Sequence, residues 1–181
     1  EMVNRFWTCA ARGSYCTHGE TFWREDEALW WAKGGQLYGQ SPERIKFLRS
    51  IQEEAGVLKP MTRQLNLDPN NAAAAEAMEK YKTFFKAIMA LSEEERNRVM
   101  LGMQPMIASN IDCRLQYLAR ACAVFAEVNL PENGQYRVEV IDVWEMKRTV
   151  AFDAANGLTK VPLPGKEGMA ILVSRLSGDN L

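Results

Sequence analysis

The chain of 181 residues contains a single histidine, His18. Its four cysteines, Cys9, Cys16, Cys113 and Cys122, form no C-x-x-C pair. Structural zinc takes four ligands from cysteine and histidine at short spacings, so no zinc site is expected and no cofactor is implied. The cysteines read as small buried hydrophobes or free thiols. No apolar run approaches the roughly 20 residues needed to span a bilayer. Residues Glu1-Met2-Val3-Asn4-Arg5 lack the basic start and long apolar centre of a secretory signal. Compartment is left open, with a lean towards the cytoplasm. A formal net charge of -1 removes the electrostatic basis for nucleic-acid binding. The phosphate-loop pattern G-x-x-x-x-G-K-[ST] is missing, and Lys33 before Gly34-Gly35 is too short to replace it. There is no low-complexity tract or internal repeat. Neither nucleic acid nor membrane is expected as a partner.

What is present is a chain with 47% hydrophobic and 25% charged residues, the balance of a globular protein with a core. Val3, Phe6, Trp7, Ala10 and Ala11 recur at helical spacing, with Gly13 as the stop. Nothing upstream covers that apolar face, so it is expected to need a preceding segment or a partner surface. Ser41-Pro42-Glu43 reads as a helix start, serine capping and proline in the first turn. Phe47, Leu48, Ile51 and Ala55 form its stripe, and Gly56 ends it. Between these helices a short strand is expected over Ser14–Thr21, followed by a short helix through Trp31. A lone strand makes no sheet, so this region is incomplete by itself.

Residues 57–71 read as a connector. A helix from Ala72 to about Leu91, with Met78, Tyr81, Phe85 and Ile88 on one face, leads to a capping box at Ser92-Glu93-Glu94-Glu95. A second helix carrying Val99, Met100 and Met103 closes a helical hairpin. Beyond Asn110 the period becomes 2. Cys113, Leu115, Tyr117 and Ala119 alternate, with the Arg114/Gln116 side left as solvent or interface. Val124 to Leu130 and Tyr136 to Trp144 alternate likewise, and Asn133-Gly134 between them signals a hairpin. Strands over Thr149–Asp153, Leu158–Leu163 and Met169–Leu176 complete an antiparallel sandwich or small barrel.

Candidate chemistry concentrates in residues 13–35. His18 and Glu20 share one face of a strand end, because alternate residues point the same way. A carboxylate there suits general acid or base work or a hydrogen bond to a substrate hydroxyl. A surface loop with an incidental glutamate is the plainer alternative. Trp30 and Trp31 suit stacking on the C–H faces of sugar rings, although tryptophan more often fills a core. Neighbours on a helix cannot both face the same way, so at most one is buried.

Two blocks carry a family resemblance. The first runs from Glu1-Met2-Val3-Asn4-Arg5-Phe6-Trp7 through Gly13-Ser14-Tyr15-Cys16-Thr17-His18-Gly19-Glu20-Thr21, Leu29-Trp30-Trp31-Ala32-Lys33-Gly34-Gly35 and Ser41-Pro42-Glu43-Arg44-Ile45-Lys46-Phe47-Leu48-Arg49. The second is Tyr136-Arg137-Val138-Glu139-Val140-Ile141-Asp142-Val143-Trp144-Glu145-Met146, with Leu163-Pro164-Gly165-Lys166 and the closing strand. Together they resemble the C-terminal part of a family of (β/α)8-barrel glycoside hydrolases, many of them bacterial, in which a β-sandwich follows the barrel. Departures are Ser14, Ala32, Val143 and Glu145. The resemblance implies an α+β chain in three parts: residues 1–58, the last helix–strand–helix portion of a TIM barrel; residues 59–110, a linker and helical hairpin; and residues 111–181, the sandwich. Active sites of such barrels lie at the C-terminal face, where Thr17 to Glu20 would sit. Retaining glycosidases use two carboxylates about 5 Å apart. The resemblance puts that pair on strands before Glu1, so no catalytic residue is assigned here. It implies a carbohydrate substrate held partly by His18, Glu20, Trp30, Trp31 and Lys33, with an upstream barrel segment or partner chain. The alternative is a non-catalytic carbohydrate-binding or interdomain support module.

Overall fold

The computed structural model describes residues 1–17, 39–61, 75, 76, 79, 82–96, 99 and 106–176. It is α+β, and contacts divide it into two compact units, residues 1–61 with 106–181 and residues 62–105.

The larger unit is organised on a six-stranded antiparallel sheet. Its strands are β1 (Lys59–Pro60), β2 (Ile107–Ser109), β3 (Cys113–Tyr117), β5 (Tyr136–Asp142), β6 (Lys147–Ala155) and β8 (Met169–Arg175), in the order β1-β2-β3-β8-β5-β6. A separate antiparallel ribbon joins β4 (Phe125–Leu130) to β7 (Gly157–Pro162). Strand β8 is central, and its run Met169 to Val173 is buried throughout. The reason is period 2 applied to a sheet covered on both sides. Ala170 and Leu172 point to one core, Met169, Ile171 and Val173 to the other.

The first core lies under two helices, α1 (Met2–Ala11) and α2 (Ser41–Ala55). Val3, Trp7, Ala10 and Ala11 of α1 meet Leu48, Ile51 and Ala55 of α2 on Leu115, Tyr117 and Ile141. The apolar face of α1, expected to need an outside cover, is therefore covered by this chain's own sheet. Trp7 is fully buried, 5.6 Å from the Tyr117 ring and 6.5 Å from Phe47 between centroids. The second core joins Val128 and Leu130 of β4 and Val161 and Leu163 at β7 to Val138 of β5.

Several local expectations need correction. Asn133-Gly134 does not turn a hairpin. Strand β4 pairs with β7 instead, and neither residue takes the positive φ that a type I′ turn requires. The chain there crosses from ribbon to sheet, which leaves Val128, Leu130 and Val138 in one core. Ser41 begins α2 but makes no capping hydrogen bond, and Gln40 holds the cap position. Gly56 ends the helix as expected, at φ 73°. The connector contains β1, which pairs with β2. Among the described residues, 14–17 join no strand. The Arg114 side of β3 turns to the ribbon, where a guanidinium N–H donates to the Asn129 carbonyl at 3.4 Å.

In the smaller unit, α3 (Lys82–Met89) buries Ile88. The capping box forms: the Ser92 N–H donates to Glu95 Oε2 at 3.1 Å and the Glu95 N–H donates to Ser92 Oγ at 3.3 Å. All four cysteines are free thiols, and none is fully buried.

Candidate functional site

The two helices run parallel. Arg44, in the first turn of α2, lies over the Trp144 ring, and Trp144 shares a groove with Glu1, Val3 and Asn4 at the start of α1. At the other end Ala10 and Gly13 share a second hollow with Gln52, Glu53 and Gly56. The first turns therefore meet at one end of the unit and the last turns at the other.

At the first-turn end the sheet contributes three loops, those after β3, β5 and β7. The backbone ties them together: the Gly168 N–H donates to the Ala119 carbonyl at 2.7 Å, and the Val143 N–H to the Gly168 carbonyl at 3.0 Å. Ala119 is held at φ 50° and Gly168 at φ 73°, left-handed conformations in which a residue with a β-carbon is strained. Asp142 closes the loop after β5 by accepting the N–H groups of Trp144 at 3.2 Å and Glu145 at 3.1 Å. It also pairs with Lys166. Burial pushes the Asp142 carboxyl up, but the Lys166 ammonium and the two backbone donors outweigh it and leave it below its ordinary value.

These loops and the start of α1 enclose an open groove of about 650 Å³. Its chemistry is carried by Trp144, Tyr117, Asn4, Arg120, Lys166 and Glu167. Trp144 is 49% exposed. Its ring carries the Arg44 guanidinium at 3.9 Å from the centroid, and Arg44 does not line the groove. The Tyr117 hydroxyl donates to Asn4 Oδ1 at 2.9 Å, and Arg120 donates to Glu1 Oε2 at 2.9 Å. Burial, reinforced by the nearby Glu167 charge, pushes Tyr117 up to about 12, so its hydroxyl stays protonated. Among the described residues the groove thus offers the exposed Trp144 ring, the neutral Tyr117 and Asn4 groups, two cations paired with carboxylates, and the Glu167 carboxylate. Among the described residues no cluster of three or more histidine, cysteine or acidic side chains could hold a metal. No helix among them is long and apolar enough to cross a membrane.

The residues singled out in the sequence, His18, Glu20, Trp30, Trp31 and Lys33, lie outside the described residues. In the sequence Lys166 stands only within the block that carries the family resemblance, and Trp144 also ends the alternating run from Tyr136. The signal that marks Trp144 is Asp142 followed two and three residues later by Trp144 and Glu145. That is the spacing of an aspartate turn, which lifts the tryptophan off the strand into solvent.

Comparison with known proteins adds three findings. A family model described as a domain of unknown function (DUF5605) matches residues 102–174, less than half of the chain. No curated protein matches. The chain resembles a crystal structure from Bacteroides vulgatus ATCC 8482 described as a putative glycoside hydrolase, at 21% identity and a TM-score of 0.56. The likeness is one of fold. It covers 96% of this chain and 32% of that one, so this chain spans about a third of its length.

Proposed function

We propose that this chain is the C-terminal portion of a glycoside hydrolase acting on oligo- or polysaccharide, contributing a substrate-binding edge and an accessory sandwich domain. The observation that carries the reading is the parallel helix pair. Two parallel helices require the chain between them to travel back along their length, roughly 22 Å for the 15 residues of α2. A βα unit of a TIM barrel makes that return with a strand. Residues 1–58 are then the end of a barrel, 59–110 a linker with a helical hairpin, and 111–181 a sandwich of the sheet and its ribbon. The fold likeness over nearly the whole chain supports this assignment.

On this reading the active face lies at the first-turn end of α1 and α2, because barrel sites gather where strands end and helices begin. His18 and Glu20 hydrogen-bond substrate hydroxyls, Trp30 or Trp31 stacks on a sugar ring, and Lys33 completes the edge. The acid/base and nucleophile carboxylates belong to preceding strands. The test is hydrolysis of aryl glycosides and polysaccharides by a chain extended upstream, beside the 181-residue chain. Activity is expected only in the longer protein, and Glu20→Gln is expected to lower its kcat/KM at least tenfold. A longer chain that encodes no barrel ends the proposal.

A second reading is a non-catalytic carbohydrate-binding or interdomain support module. It is favoured by one observation: both helices, sheet and ribbon share one compact unit with two internal cores. Glycan binding without hydrolysis, even in the extended chain, selects it.

A further inference from the structure

We propose that the groove beside Trp144 is a binding subsite for a neutral saccharide unit. The inference goes beyond the reading above, because it requires neither a barrel nor a reaction.

The aromatic surface comes first. A half-exposed tryptophan normally loses rotamer freedom when a ligand stacks on it. Trp144 has been fixed in advance by the Asp142 turn beneath it and by the Arg44 guanidinium over one ring face. The guanidinium lies outside the groove, which leaves Trp144 to present its remaining surface there. Sugars offer C–H groups on one side of the ring and hydroxyls around its edge. A flat aromatic with polar groups around it is complementary to that arrangement.

The polar groups narrow the ligand class. Both cations of the groove already have carboxylate partners, Arg120 with Glu1 and Lys166 with Asp142. Glu167 adds a further negative charge at the lining. Among the described residues an anionic glycan would meet no unpaired cation in the groove and would be repelled by Glu167. A neutral sugar can donate hydroxyl protons to the carboxylates and accept from Lys166 and Arg120 without separating either pair. The three loops are laced by backbone hydrogen bonds, so little ordering is left for binding to oppose. A volume of about 650 Å³ falls within the usual range for small-molecule sites and accommodates a mono- or disaccharide.

The test is titration calorimetry on the 181-residue chain with neutral β-1,4-linked hexasaccharides of glucose, xylose and mannose. A hexagalacturonate and a basic hexapeptide serve as the contrasting probes. At least one neutral hexasaccharide is expected to bind, and Trp144→Ala to weaken it about tenfold or more. Trp144→Phe should retain part of the affinity. Because Trp144→Ala removes a packed ring, the indole N–H signal of Trp144 is also followed by NMR in the unaltered chain. It should shift on adding the neutral sugar. Glu167→Gln, at an exposed position, should lessen the discrimination against hexagalacturonate. Tighter binding of the uronate or the peptide, neutral binding untouched by Trp144→Ala, an unmoved indole signal, or no neutral binding would each overturn the inference. In the upstream-extended chain the two proposals separate. Hydrolysis without Trp144-dependent binding sinks the subsite alone. Trp144-dependent binding without hydrolysis sinks the glycosidase reading alone.

Discussion

The central sheet is covered on both faces, and the two covers differ in kind. The ribbon side is dominated by aliphatic packing, with Val128, Leu130, Val138, Val161, Ile171 and Val173 at its centre. The helix side mixes apolar packing with directional polar contacts. Tyr117 bonds Asn4 across 113 residues of sequence, Arg148 bonds Glu54 across 94, and the Asn110 side-chain amide donates to the last carbonyl of α2, Ala55, at 2.7 Å. The ribbon core is drawn from residues 128–173, close in sequence. The helix side joins segments separated by the whole smaller unit. Aliphatic packing is tolerant of small slips, whereas hydrogen-bonded pairs accept one register. The polar contacts therefore serve to seat α1 and α2 in one position, and that position brings Arg44 onto Trp144 and Asn4 into the groove.

The largest effect expected in testing this contrast comes from Trp7→Ala. Trp7 is fully buried, and truncating a buried tryptophan typically costs about 3–5 kcal/mol. Val161→Ala, equally buried in the ribbon core, should cost less because fewer carbons are lost. Urea unfolding is to be followed by two probes, far-UV dichroism and protease cleavage near residue 12. If the helix side is the separable cover, Trp7→Ala moves the cleavage transition ahead of the dichroism transition and Val161→Ala moves both together. Coincident transitions in both variants would make the two covers one cooperative unit and remove the distinction.

A smaller but more specific effect is expected from Arg148→Met. The Arg148 guanidinium donates to both Glu54 oxygens, at 2.5 and 2.8 Å, and to Glu139, at 2.6 and 3.3 Å. The side chain of Glu139 is only 9% exposed, against 51% for Glu54. Removing the arginine strands a carboxylate among apolar neighbours, which costs about 3–5 kcal/mol when burial is complete. The half-exposed second partner reduces the expectation to roughly 2–3 kcal/mol. Adding Glu139→Leu to Arg148→Met should recover most of that loss, since the stranded charge goes with it. A double variant as weak as the single one would show that the arginine acts through packing instead.

The same contrast explains how much was legible in the sequence. Period signals depend on neighbours in the chain, and they survive wherever burial follows them. The stripe of α1, the capping box at Ser92 and the strand phases at Leu115, Tyr117, Val128 and Leu130 all stand as read. Pairing is different, because a turn dipeptide says that the chain bends but not which strand it will meet. Asn133-Gly134 bends the chain between sheets and not into a hairpin. Glu139 lies in an alternating strand and carries no mark of burial until Arg148 and Glu54 are brought to it by tertiary folding. The groove was illegible for the same reason. Asn4, Tyr117, Trp144 and Lys166 belong to four separate elements, and only the docking of α1 onto the sheet assembles them. The residues that did attract a functional reading, from His18 to Lys33, are outside the described structure.

The smallest effect is one of pH, and it isolates the exposed half of the Arg148 cluster. The hydrogen bonds from Arg148 hold the Glu54 carboxyl below its ordinary value of 4.5, against the opposing effect of partial burial. A carboxyl depressed on folding contributes stability that is fully present above its unfolded value. The contribution is lost as pH falls through the folded value, because the unfolded chain takes up the proton first. Glu54 is half exposed, so solvent screening limits the pair to about 0.2–1 kcal/mol. Glu54→Gln should therefore be less stable than the unaltered chain by that amount near pH 6.5, measured as a urea midpoint at constant slope. The gap should close as the buffer is taken below pH 4. Asp142 is also depressed and will weaken both proteins alike on acidification, which is why the difference between them, and not either curve, is the readout. A gap of the same size at pH 3 and pH 6.5 would mean that the Glu54 charge contributes nothing to seating α2. Among the described residues the helix side would then owe its specificity to Asn110, Tyr117 and Arg120.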